Sequence, residues 1–132
     1  MKTLISIILI IIIFESCNSQ TTNKILPVPL LAEVDTIRHG EIISTYRSDY
    51  FLIENCSENF INIAIEKFVS KNLDSNFLKF NQYDMYFYEK TEKLSIEIIK
   101  SYPEGLRYKA IQDEKLIKHY TWYNGKLFKY PH

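Results

Sequence analysis

Residues able to do chemistry are few in this chain and thinly spread. Its three histidines are His39, His119 and His132. No two of them stand four apart, and no Cys/His pair has the spacing of a structural zinc site. Asp35, His39 and Glu41 lie close together in sequence. An imidazole between two carboxylates is a minimal set for acid–base work or for holding a metal. The same residues also describe a polar hairpin turned to water, and that is the reading preferred. His119 alternates with Tyr120 and takes a surface or edge position on a strand; His132 ends the chain. Cys56 stands where a helix begins, a place where the helix dipole can lower a thiol pKa. A nucleophile needs a neighbouring base, however, and the sequence identifies none, so a small packing role is expected. Three glycines, Gly40, Gly105 and Gly125, are too few for a phosphate-cradling loop. There is no Gly-x-Ser-x-Gly elbow. The expectation is a protein without catalytic residues, resident metal or cofactor.

The aromatic side chains are more promising. Tyr86, Tyr88, Tyr108, Tyr120, Trp122 and Tyr123 fall in segments of strand character, and several could share one solvent-facing side. Tyr and Trp supply large contact area at low entropy cost, which suits a protein interface or stacking on a sugar. The competing reading is that these rings cover the hydrophobic layer with their hydroxyls in water. Sixteen basic and sixteen acidic residues cancel. Nucleic-acid binding is not expected, because phosphate neutralisation asks for a basic excess.

The first residues serve transport rather than chemistry. Lys2 precedes an unbroken apolar-rich stretch, Leu4 to Phe14. As a helix it spans roughly 16 Å, short of the roughly 30 Å hydrocarbon layer, so residues 1–16 read as a secretory signal. Phe14-Glu15-Ser16-Cys17 resembles the lipobox of bacterial lipoproteins. Ser16 fills the small-residue position and Cys17 the modified one; Phe14 and Glu15 depart from the usual Leu and small residue. The resemblance implies diacylglycerol on the Cys17 thiol, cleavage just before it and a protein held at a membrane by its N-terminal lipid. The alternatives are an ordinary signal cut after Ser19, with Cys17 incidental, and an uncleaved anchor. If Cys17 carries lipid, Cys56 is left without a disulfide partner.

Residues 17–31 read as the lipidated Cys and a tether, polar over Asn18–Lys24 and stiffened by Pro27 and Pro29. A single domain is expected over 32–132, a length that can bury a core without staples. Val34–Arg38 and Glu41–Arg47 read as strands about a His39-Gly40 turn, and Tyr50–Ile53 as another. Asn55 as N-cap and Glu58 three residues on resemble a capping box. Phe60, Ile61, Ala64, Ile65 and Phe68 then repeat at helical spacing, ending by Leu73-Asp74-Ser75.

Beyond the helix the period becomes two. Tyr83, Met85 and Phe87 alternate with Asp84, Tyr86 and Tyr88. Leu94, Ile96 and Ile98 read as a second strand after a Lys90–Lys93 turn. Pro103-Glu104-Gly105 is a turn, and Leu106–Ile111 and Leu116–Tyr123 are further strands. Asn124-Gly125 is a strong hairpin signal, because both turn positions require positive φ, and Lys126–Tyr130 closes the sheet. Trp122–Leu127 resembles one unit of the MORN-like hairpin repeats, although no second copy is present and an ordinary hairpin explains it equally.

The expected fold is α+β: one amphipathic helix on one face of an antiparallel meander of about five strands, preceded by short strands. By element order it resembles a cystatin-like roll, an analogy that carries no activity. The functional expectation is a small cell-envelope lipoprotein with a non-catalytic binding module for an envelope protein or glycan. The alternatives are a periplasmic inhibitor or immunity-type protein and, third, a small hydrolase. The last would require Asp35, His39 and His119 to converge in a pocket.

Overall fold

A computed structural model of the chain describes residues 24–30, 32–54, 57–75 and 77–128. The leader, Cys17, Asn55, Cys56 and His132 lie outside them. Six strands form one sheet: β1 (Lys24–Pro27), β2 (Ala32–Arg38), β3 (Glu41–Glu54), β4 (Gln82–Glu89), β5 (Leu116–Tyr123) and β6 (Lys126–Phe128). Helix α1 (Glu58–Asn72) joins β3 to β4, and α2 (Ile96–Ser101) with a 3-10 segment (Glu104–Ala110) joins β4 to β5. A single 3-10 turn spans Phe77–Lys79.

The sheet order is β1-β3-β4-β5-β6, with β2 also paired to β3. β4 pairs with β3 over Tyr46–Ile53, so β1 and β2 share the other edge of β3. Every pairing is antiparallel except β3 with β4, which is parallel. Parallel neighbours cannot be joined by a tight turn, and α1 is the crossover that the geometry demands. The α+β class holds, with a helix laid on a mostly antiparallel sheet.

Alternation along the strands divides the core between two faces. Phe51, Ile53, Tyr83, Met85, Phe87 and Trp122 pack with Ile65 and Val69 of α1. On the opposite face, Leu52 and Tyr88 pack with Val28, Leu94, Ile99 and Ile111. These faces are called here the helix face and the ladder face. Arg107 Nη1 donates to the Pro29 carbonyl at 2.9 Å, tying the 3-10 segment down across the ladder face.

Several local expectations are corrected. The expected tether ends early: Lys24–Pro27 pairs with Phe51–Glu54, and Val28 is buried. The two strands expected over Glu41–Arg47 and Tyr50–Ile53 are one, because Ser48 and Asp49 stay in the ladder opposite Asp84 and Met85. Ser57, without a side-chain cap bond, takes the N-cap place given to Asn55. The buried stripe of α1 centres on Ile65 and Val69, whereas Phe60 is exposed. Leu94–Ile98 is no strand: Ser95 caps α2 by accepting from the Ile98 amide, and Leu94 and Ile99 fill the ladder-face core. Leu106–Ile111 is not a strand either, since Glu104–Ala110 winds as 3-10 helix after Pro103. Among the described residues, three strands therefore follow α1.

The turns expected at His39-Gly40 and Asn124-Gly125 are present. His39 and Gly40 have φ of 54° and 83°, and Asn124 and Gly125 have 47° and 75°. Asn81 braces the second turn, donating from Nδ2 to Asn124 Oδ1 at 3.1 Å while its Oδ1 accepts from the Thr45 amide at 2.9 Å.

Candidate functional site

A cleft opens on the helix face, where the C-terminal half of α1 leaves the Arg47 end of β3 uncovered. Its volume is about 370 Å³, and Phe51, Phe68, Phe77, Tyr83 and Met85 form apolar walls with Pro27 and Val28. Volume and lining fall within the range of small-molecule sites, which are mostly apolar with a few placed polar groups. Arg47, Asp49 and Asn72 supply those polar groups.

The polar centre follows from strand register. Arg47 pairs with Tyr83 and Asp49 with Met85, so two charged side chains stand on the same side as the buried rings. Arg47 donates from Nε and Nη2 to Asp49 Oδ1 at 3.3 and 3.2 Å, and its Nη1 lies 3.8 Å from Glu33 Oε2. The guanidinium also stands over the Phe77 ring at 5.2 Å and the Phe80 ring at 5.8 Å, within reach of cation–π attraction. Tyr83, buried, donates its hydroxyl to Asp49 Oδ2 at 2.8 Å. Burial first, then the bond to Asp49 and its charge, push the Tyr83 pKa well above the ordinary tyrosine value. Tyr83 therefore remains a neutral donor that holds the Asp49 carboxylate in place. Phe77 and Trp122 stack on Tyr83 at 5.0 and 5.6 Å, linking the cleft wall to the protein's only tryptophan.

The ladder face carries a different cluster. Asp84, fully buried, accepts from Gln82 Nε2 at 2.8 Å and from Thr121 Oγ1, and its Oδ1 lies 3.0 Å from His119 Nε2. Burial would raise the Asp84 pKa, but bonds from His119, Thr121 and Gln82 outweigh it and hold the carboxyl below its ordinary range. Tyr50, Tyr86 and His119 stand on three adjacent strands as a stack, with centroid separations of 5.0 and 4.1 Å. Burial raises the Tyr50 and Tyr86 pKa values, with neighbouring acidic groups adding to it in both. Tyr46 bonds Ser48 beside them. Within the stack the facing π surfaces cover one another, so a ligand approaching Tyr86 meets the ring edge and hydroxyl.

The contacts at His119 Nε2 differ from those of a nucleophilic relay. In a Ser-His-Asp triad the imidazole bridges acid and nucleophile through its two different nitrogens. Here the same Nε2 touches Asp84 Oδ1 and Thr121 Oγ1, the latter at 3.0 Å, and the Thr121 hydroxyl is itself buried against Asp84.

The residues singled out in the sequence do not assemble as one site. Asp35 pairs with Thr45 on β2, His39 sits in the turn and Glu41 is exposed beyond it. His119 lies opposite Tyr86, which in turn lies opposite Tyr50. Thr45 precedes Tyr50 by five residues, roughly 16 Å along a strand, and two further strands separate Asp35 from His119. The three are not brought together. Of the six aromatics, Tyr86, Tyr88 and Tyr123 belong to the ladder face, with Tyr88 buried under α2. Tyr120 and Trp122 belong to the helix face, and Tyr108 is exposed on the 3-10 segment. Sequence reading passed over Arg47, Asp49 and Asp84. The available signal was Arg47-x-Asp49-x-Phe51, two charges at strand spacing on the side of an apolar ring.

Among the described residues no group of three or more His, Cys, Asp or Glu side chains is placed to hold a metal, and no helix is long and apolar enough to cross a membrane. Comparison with protein families, curated proteins and solved structures finds no match to this chain.

Proposed function

We propose that this protein is a lipid-anchored component of a bacterial cell envelope whose folded domain binds a small ligand, without catalysis, in the cleft beside α1. The leader and Cys17 support the location. The binding role rests on one observation: the cleft of about 370 Å³ whose aromatic walls surround the Arg47–Asp49–Tyr83 centre. Charged groups set into an otherwise apolar wall cost stability unless paired. Their placement at an open cleft suits recognition better than it suits packing.

Two experiments test the parts separately. Mass spectrometry of the protein from membranes should find diacylglycerol on Cys17 at the mature N-terminus; an unmodified N-terminus downstream of Cys17 would reject the anchor. Trp122 stacks on Tyr83, so a ligand entering the cleft should alter Trp122 emission saturably. A library of small amphiphiles that leaves emission unchanged at millimolar concentration would reject the binding role.

A second reading, an inhibitor or immunity-type protein, is supported by the β2–β3 hairpin. Residues 41–45 of β3 precede its first partner on β4, so this end of the hairpin has no β4 beside it. Ile37, Ile42 and Ile43 are exposed there by 65, 59 and 55%, a surface that an enzyme partner could cover. Co-purification of a stoichiometric envelope enzyme, with loss of its activity in the complex, would favour this reading. Retention of the complex by an Ile37→Ser, Ile42→Ser double variant would remove the arm from it.

A further inference from the structure

Helix α1 keeps apolar surface that the sheet does not use. Phe60, Ile63, Lys67 and Lys71 recur at intervals of three and four and so share one stripe of the helix. All four are exposed, Phe60 by 60% and Ile63 by 61%, on the side away from the buried Ile65 and Val69. Two large apolar side chains stand at the start of the stripe, and two ammonium groups follow them. The acidic Glu66 lies off it, reaching Lys118 of β5 at 3.4 Å. Exposed Phe and Ile beside Lys on one helix surface suit the boundary of an anionic bilayer. The apolar side chains enter the acyl margin there, and the ammonium groups meet the phosphates.

The fold puts this stripe beside the strand that follows the tether. β1 and β5 lie on opposite sides of the β3–β4 pair. Glu66 turns toward β5, whereas Ala64, Lys67 and Lys71 line a groove with Ile25 of β1. Asn18 to Asn23 separate Cys17 from Lys24, a span of at most about 25 Å when fully extended. A lipid on Cys17 would therefore keep this side of α1 close to the bilayer. Glu54, opposite Lys24 in the ladder, is held by Lys90, which limits its repulsion of anionic headgroups.

Resting on the lipid-anchor reading, we propose that the Phe60–Lys71 stripe of α1 docks on the anionic surface of the bilayer that holds Cys17, with the ladder face turned away from the membrane.

The test uses the protein as isolated from membranes, reconstituted in vesicles of phosphatidylcholine alone or mixed equally with phosphatidylglycerol, with brominated acyl chains as quencher. Phe60→Trp places an indole on the stripe, and the buried Trp122 of the wild type supplies the baseline. Bromine should quench the added indole in anionic vesicles and much less in neutral ones, while wild-type emission holds. A lysine near such a surface is worth about fivefold in the docked-to-free ratio, so Lys67→Gln with Lys71→Gln should lower that ratio by about 25-fold. Lys109→Gln, on the exposed 3-10 segment, should leave it unchanged. Flotation with neutral vesicles reads the anchor separately. Protein that floats with both vesicle types without quenching of the added indole would overturn the docking and leave the anchor. Quenching that is equal in neutral vesicles, or that survives the double lysine substitution, would do the same. Protein that floats with neither would overturn the anchor, and the docking with it.

Discussion

On the helix face, Tyr83, Phe87 and Trp122 are buried among apolar neighbours, and the polar groups Arg47 and Asp49 collect where that cover stops. On the ladder face the polar groups lie inside: Ser48, Asp84 and Thr121 are buried, overlaid by Tyr50, Tyr86 and His119 and flanked by a smaller apolar cluster under α2. One face thus presents its charges at an opening, and the other consumes its charge internally. Both carboxylates are satisfied, Asp84 by Gln82, His119 and Thr121 and Asp49 by Arg47 and Tyr83. They differ in access: the Asp84 side chain is enclosed, whereas that of Asp49 stays one-fifth exposed at the rim of an aromatic cleft.

Several substitutions break or sharpen this contrast. Phe87→Ala should cost about 3 to 5 kcal/mol, measured by chemical denaturation, because the ring is fully buried and touches Phe51, Phe68 and Tyr120. Its neighbour Tyr86, on the opposite face and partly exposed, should lose only about half as much on change to alanine. Equal costs would erase the distinction between the faces.

Asp84→Ala should cost about 2 to 3 kcal/mol at neutral pH, since His119, Thr121 and Gln82 lose a common acceptor. Because folding lowers the Asp84 pKa, its stabilisation is present above the unfolded-state value and disappears as pH falls through the folded one. Wild-type stability should therefore drop below about pH 4, and Asp84→Asn should flatten that part of the acid limb. An unchanged acid limb would show that Asp84 is not the linked group.

Ser95→Ala should cost about 1 kcal/mol through loss of the α2 cap bond, loosening the ladder face without altering the cleft. Ile37→Ser on the exposed hairpin should lie within about 0.5 kcal/mol of wild type.

The sequence was most legible where one periodicity had no rival. Ile61, Ala64, Ile65 and Phe68 place α1 by spacing alone, and Asn124-Gly125 requires a turn because few residues accept positive φ twice. Leu94, Ile96 and Ile98 failed the same test. Their period of two fits a strand, but Ile96 and Ile99 also stand three apart behind a capping Ser95, with Glu97 early and Lys100 late. That is the grammar of a helix end to end, and tertiary packing of Leu94 and Ile99 settled the matter. The β3–β4 parallel pairing was not legible either, since alternation fixes which side a residue faces but not which strand lies beside it. The cleft depends on that register. Arg47, Asp49 and Tyr83 come from strands separated by a helix, and only the parallel alignment brings them together.

Titration of the isotope-labelled protein with the small-amphiphile library, followed by amide chemical shifts residue by residue, tests the division between the faces most directly. Shifts should concentrate at Arg47, Asp49, Phe68, Asn72 and Phe77 and leave Tyr86, His119 and Thr121 unmoved. Shifts centred on Asp84, His119 and Thr121, with the cleft silent, would contradict the account.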